Sequence, residues 1–122
     1  MTSIGVAVPL LTYFFRVRSK RSIMKVAELV QECRKVDIVP FFYHTTLDWY
    51  RKDFDEDFDS YLDYLYKSVE ILCTKYGKIG GMWFDGNWSK PDADWQEDKL
   101  YKMIHRYQPE AMVYLPKIQV KI

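Results

Sequence analysis

The sequence lacks a charge imbalance: its 122 residues carry 18 Lys and Arg against 17 Asp and Glu, a formal net charge of +1, with both signs interspersed. No electrostatic footprint for nucleic acid or an anionic membrane follows, so partners must be argued from sites. Cysteine is scarce too. Cys33 and Cys73 stand far apart without zinc or redox spacing and read as reduced core residues of a cytoplasmic chain. There is no long hydrophobic run. The apolar stretch Ile4 to Phe15 is too short to span a bilayer, and Arg16, Arg18, Lys20 and Arg21 follow it, the reverse of a secretory signal. A Gly-rich phosphate loop is missing, which counts against a nucleotide-binding doubly wound sheet, and no heptad seam or short repeat competes. Asp53, Asp55, Asp57 and Asp59 imitate a calcium loop, but Phe58 stands where that loop needs Gly and Tyr64 where it needs Glu. Neither His44 nor His105 has a ligand pattern. No metal or cofactor is expected.

Aromatic residues are plentiful: ten Tyr, seven Phe and four Trp make up 17% of the chain, which means a large core, a carbohydrate-facing surface, or both. The length allows one domain at most and falls well short of the roughly 250 residues of a (β/α)8 barrel. Periodicity supplies the elements. Ser22 is the expected N-cap of a helix with Ile23, Val26, Leu29, Val30 and Cys33 on one stripe, closed by Arg34 and Lys35 at the favourable dipole end. Asp37 then takes a left-handed turn, and Ile38 to His44 reads as a buried strand, irregular at Pro40. A long amphipathic helix follows through Phe58, Leu62, Leu65, Val69, Leu72 and Tyr76, with acids crowding its first turn and Gly77 ending it.

Ile79 to Phe84 is a second strand, read as buried on both faces. Asp94 to Glu97 has the spacing of a capping box opening a helix through Leu100, Met103, Ile104 and Tyr107, which Pro109 ends. Ala111 to Leu115 is a last strand candidate. This alternation predicts an α/β fold with parallel βαβ units, a fragment of a (β/α)8 TIM barrel spanning residues 22–115. Residues 1–21 are an N-terminal arm of unclear role, strand or sticky arm, and residues 116–122 a tail without signal.

The most informative stretch is Lys78 to Trp88, an apolar run that stops on a carboxylate followed by glycine. Side chains alternate along a strand, so Gly81, Trp83 and Asp85 share one face, and the indole lies beneath the carboxylate. An acid beside an aromatic platform suits a sugar. The plainer alternative is a turn, in which Asp85 bonds its own backbone and Gly86 takes positive φ.

Trp83-Phe84-Asp85-Gly86 after a Gly-containing strand, with Tyr43-His44-Thr45-Thr46-Leu47-Asp48-Trp49 one unit upstream, resembles the α-L-fucosidases, a family of retaining glycoside hydrolases. The similarity runs from about Ile23 to Val113. It implies that Asp85 is the nucleophile and that Tyr43, His44, Trp49 and Trp83 contact the sugar of a fucoside or fucosylated glycan. Two departures matter. Nothing in Met1 to Arg21 reproduces the family's His-His pair, and Tyr114 to Ile122 leaves the sequence that leads to the acid/base Glu. The resemblance therefore implies a truncated or frameshifted fragment without its acid/base. Asp92, Asp94 and Glu97 are explained by a polar loop and the capping box. The alternatives are a noncatalytic carbohydrate-binding fragment, in which Tyr43, Trp49, Trp83 and Trp88 only stack, or an inactive one. Open barrel edges would favour self-association.

Overall fold

The computed structural model describes residues 3–8, 11–16 and 20–114, with side chains for residue 21 and residues 23–114. Its elements run β1 (Ser3–Val8), β2 (Leu11–Arg16), α1 (Lys20–Lys35), β3 (Phe41–Thr45), α2 (Asp53–Glu56), α3 (Phe58–Thr74), β4 (Gly81–Asp85), α4 (Glu97–Tyr107) and β5 (Met112–Tyr114). The sheet order is β2-β1-β3-β4-β5. Strands β3, β4 and β5 are parallel, with Phe41 opposite Gly81 and Gly81 opposite Met112, so the expected βαβ units are present. The N-terminal segment is a pair of strands: β1 runs antiparallel to both β2 and β3. Strands of a (β/α)8 barrel are all parallel, so this open, mixed sheet departs from the barrel pattern at its N-terminal edge. Pro9 lies outside the described residues, as does the tail from 115.

One core holds the fold together. Phe42 of β3 and Met82 and Phe84 of β4 meet Val26 and Val30 of α1, Leu65 and Leu72 of α3, and Ile104 of α4, all buried. The expected faces of α1 and α3 are the buried ones. β4 is not buried on both faces along its length: Met82 and Phe84 are buried, but on the other face Trp83 is 50% exposed and Asp85 half-buried, with only Gly81 buried there. Cys33 and Cys73 are free, buried thiols, and burial pushes the Cys73 thiol up to about 12.

Local starts and stops differ from expectation for identifiable reasons. Helix α1 begins at Lys20, so Ser22 lies inside it and cannot cap it, since an N-cap needs non-helical backbone. Pro40 precedes β3 instead of interrupting it, and its carbonyl accepts from Gly80 N at 2.7 Å. The acid-rich helix is two helices. Asp57 breaks the run at φ −151° and caps α3 by accepting from Ser60 N at 3.2 Å. Helix α3 ends at Thr74, three residues before the Gly77 expected to end it, and Gly77 takes φ +71° in the bend that follows, while Asp37 is left-handed at φ +58° as the sequence suggested.

No capping box forms ahead of α4. Gln96 is left-handed there, Asp94 Oδ1 accepts from Gln96 N at 2.9 Å, and Glu97 turns away to Asn87. Buried Trp95 imposes this turn: it packs edge-on to Phe58 at 5.0 Å, while its Nε1 donates to Lys90 O and the Tyr66 hydroxyl donates to Gln96 O. Gln108 joins the lower ends of these elements. Its side chain donates to Cys73 O and Gly77 O and accepts from Ile79 N, satisfying three backbone groups where β4 begins. Among the described residues no helix is long and apolar enough to cross a membrane.

Candidate active site

Parallel pairing aligns Tyr43 with Trp83 and Trp83 with Tyr114, so one aromatic residue from each of β3, β4 and β5 stands in a row. The rings meet edge to face, at 6.0 Å between Tyr43 and Trp83 and 5.7 Å between Trp83 and Tyr114. One step further along the strands lies Asp85, opposite Thr45. Its Oδ2 accepts a hydrogen bond from the Tyr43 hydroxyl at 3.0 Å. Partial burial, and then that bond to the carboxylate, raise the Tyr43 hydroxyl above its usual range. A carboxylate thus sits at the C-terminal ends of parallel strands, beside an aromatic row and held by a hydroxyl from the neighbouring strand. Gly86 does take positive φ, at +127°, as the turn alternative required, but the carboxylate's bond is to Tyr43 across the sheet.

The chain after each strand is held from the packed side. Thr46 N donates to Asp85 O at 2.7 Å, and the Thr46 hydroxyl lies 2.8 Å from Asn87 Oδ1 and 3.2 Å from Asp85 O. Asn87 Nδ2 donates to Glu97 Oε1 at 3.0 Å, and the Tyr61 hydroxyl donates to Thr46 O. Thr46 and Asn87 are both buried. Asp48, also buried, accepts from Tyr50 N at 3.0 Å and closes the turn that carries Trp49.

A sequence model of the α-L-fucosidase family matches residues 14–119. The chain belongs to the α-L-fucosidase family. It is 29% identical over 91 residues to α-L-fucosidase 1 of Arabidopsis thaliana, covering 73% of this chain and 18% of that protein. Its fold matches that of α-L-fucosidase isoenzyme 1 from Paenibacillus thiaminolyticus with a TM-score of 0.64 at 28% identity, over 72% of this chain and 26% of the other. The chain therefore spans about a fifth to a quarter of the length of these relatives, and membership places it among the glycoside hydrolases.

Within this fucosidase segment the residues singled out by sequence divide. Tyr43, Trp83 and Asp85 come together on the open face. Trp49, 74% exposed, and Trp88 stand on the turns after β3 and β4, at the same end of the sheet. His44 does not join them, because alternation along β3 turns it with Phe42 into the core. There its ring lies 6.0 Å from that of Phe84, and Nδ1 donates to the Thr45 carbonyl at 2.5 Å. Among the described residues, its Nε2 is the buried side-chain atom left without a hydrogen-bond partner.

Burial holds the His44 imidazole down to about 4, against a weaker upward pull from the Thr45 carbonyl. The folded chain then binds this proton only below about pH 4, whereas the unfolded chain binds it below about 6.5. Stability is expected to fall by about 3 kcal/mol as pH drops from 6.5 to 4, and to gain nothing from this group above 6.5. Denaturant titrations across that window, compared with His44→Leu, check it: the variant should lose this part of the slope, and an unchanged slope would contradict it.

Tyr114, Thr46 and Asn87 carried no signal of this kind in the sequence. Tyr114 needed the β4–β5 register before it could be placed. Thr46 and Asn87 each directly follow a strand-end residue, Thr45 or the Asp85-Gly86 pair, and that position is the one clue the sequence holds.

Proposed function

We propose that this chain carries the nucleophile half of a retaining α-L-fucosidase site, acting on fucosides or fucosylated glycans. The observation that carries the reading is the Tyr43–Asp85 hydrogen bond at the C-terminal end of β4, on the face that also bears Trp83. In the reaction an Asp85 oxygen attacks the anomeric carbon as the glycosidic C–O bond breaks, giving a fucosyl ester and a leaving alcohol that takes up a proton. With Oδ2 held by Tyr43, Oδ1 is the attacking atom. Water then opens the ester, returning the carboxylate. The residues position and attack, and no cofactor is required.

Retaining hydrolysis also needs an acid/base carboxyl about 5–5.5 Å from the nucleophile. Glu97 is engaged by Asn87, and Asp94 by the backbone of Gln96, so neither is assigned that role. The open aromatic row and the outer edge of β5 form, in the same reading, the surface for self-association.

A fucose-configured iminosugar, whose ring ammonium imitates the charge of the oxocarbenium-like transition state, tests the site without turnover. It should bind the folded chain, and Asp85→Asn should weaken it about 10- to 100-fold, the worth of one charge-assisted hydrogen bond. Titration calorimetry reads both. Equal affinity for the two proteins, or no binding to either, would contradict a sugar site built on Asp85.

A further inference from the structure

We infer that Thr46, with Asn87 behind it, is a positioning residue for Asp85: its buried hydroxyl fixes the backbone from which the carboxylate meets Tyr43. The inference rests on the proposed role of Asp85, and its first observation is how completely Thr46 is tied. Its N–H bonds Asp85 O, its carbonyl accepts from Tyr61 on α3, and its hydroxyl lies between Asn87 Oδ1 and Asp85 O. Having one proton, that hydroxyl donates along the shorter contact, 2.8 Å to Asn87. Asn87 passes the link to Glu97 at the start of α4. Helices α3 and α4 and the loop after β3 therefore converge on the peptide that follows the nucleophile.

The second observation is independent of these bonds. A Cβ on Gly86 would stand 2.7 Å from the Thr46 hydroxyl and 2.9 Å from Leu47 N. The space a side chain would fill next to Asp85 is the space the Thr46 hydroxyl occupies, and Gly86 holds φ at +127°, which L side chains rarely adopt. The hydroxyl and the glycine fit each other, and together they set where β4 stops and which way Asp85 leaves it. Tyr43 holds the carboxylate on the open face, and Thr46 holds its backbone on the packed face.

Thr46→Val keeps the branched shape and removes the hydroxyl, while Thr46→Ser keeps the hydroxyl. The first readout needs no chemistry: the ring-carbon resonance next to the Tyr43 hydroxyl, in protein with labelled tyrosine, reports its bond to Asp85, and Asp85→Asn gives the position for a broken bond. Thr46→Val should move the resonance toward the Asp85→Asn position, and Thr46→Ser should return it. The second readout is the rate at which an activated fucosyl donor labels the chain, which should fall about 10- to 100-fold in Thr46→Val and recover in Thr46→Ser, as expected when a reacting group is misplaced by a fraction of an ångström to an ångström. A folded Thr46→Val with the wild-type resonance overturns the inference, as does wild-type labelling. If the resonance moves as expected while the wild-type chain takes no label, the positioning role stands and the nucleophile reading falls.

Discussion

Phe84→Ala is expected to cost about 3–5 kcal/mol of folding stability, a large share of the roughly 5–15 kcal/mol that holds a domain of this kind together. Phe84 is fully buried, lies against His44 and Met82, and faces a core built from α1, α3 and α4. Truncation leaves a cavity that the surrounding strands cannot readily close, because β4 is held to β3 at Phe84 and to β5 through the residue before it. The midpoint in urea should fall by more than about 1 M. The neighbouring change Trp83→Ala acts on the opposite face, where the indole is half exposed and its ring meets those of Tyr43 and Tyr114 edge to face. It should cost about 1 kcal/mol, the value of such ring contacts, and its loss should fall on iminosugar binding instead. A Trp83→Ala midpoint lower than that of Phe84→Ala would reverse the assignment of packed and open faces.

That division of faces is partly legible in the sequence. A period of two is enough to put Trp83 on the same side as Asp85, and it also carries the information that His44, one residue after Tyr43, faces the other way. What outweighs alternation is the resemblance, which attaches His44 to its neighbour. The parallel order of β3, β4 and β5 follows from their spacing and the amphipathic helices between them. The antiparallel strands β1 and β2 do not, because Pro9 splits their apolar run without a recognisable two-residue turn.

The failed capping box has a different cause. Asp94 and Glu97 have the right spacing, but the burial of Trp95 against Phe58 and the pull of Asn87 on Glu97 are tertiary effects that override the local pattern. The Thr46–Asn87 link is of the same kind. It joins residues 41 positions apart, and neither residue type carries a message until β3 and β4 are laid side by side.

Asp85 carries the largest effect expected. Removing a catalytic nucleophile costs on the order of 10⁶ where it has been measured in other enzymes, so Asp85→Asn should suppress fucosyl transfer from an activated donor by at least about 10³. A donor with a good leaving group needs little help from an acid, so Asp85 alone should form the ester, and the covalent species should accumulate wherever water opens it more slowly than it forms. The measurement is mass spectrometry after the folded chain is incubated with such a donor, quenched in acid and digested. The account predicts one added fucosyl group on the peptide containing Met82 to Trp88, localised to Asp85 and absent from Asp85→Asn. No adduct on the folded chain, or equal labelling of Asp85→Asn, would contradict it and leave Asp85 as the residue that ends a strand.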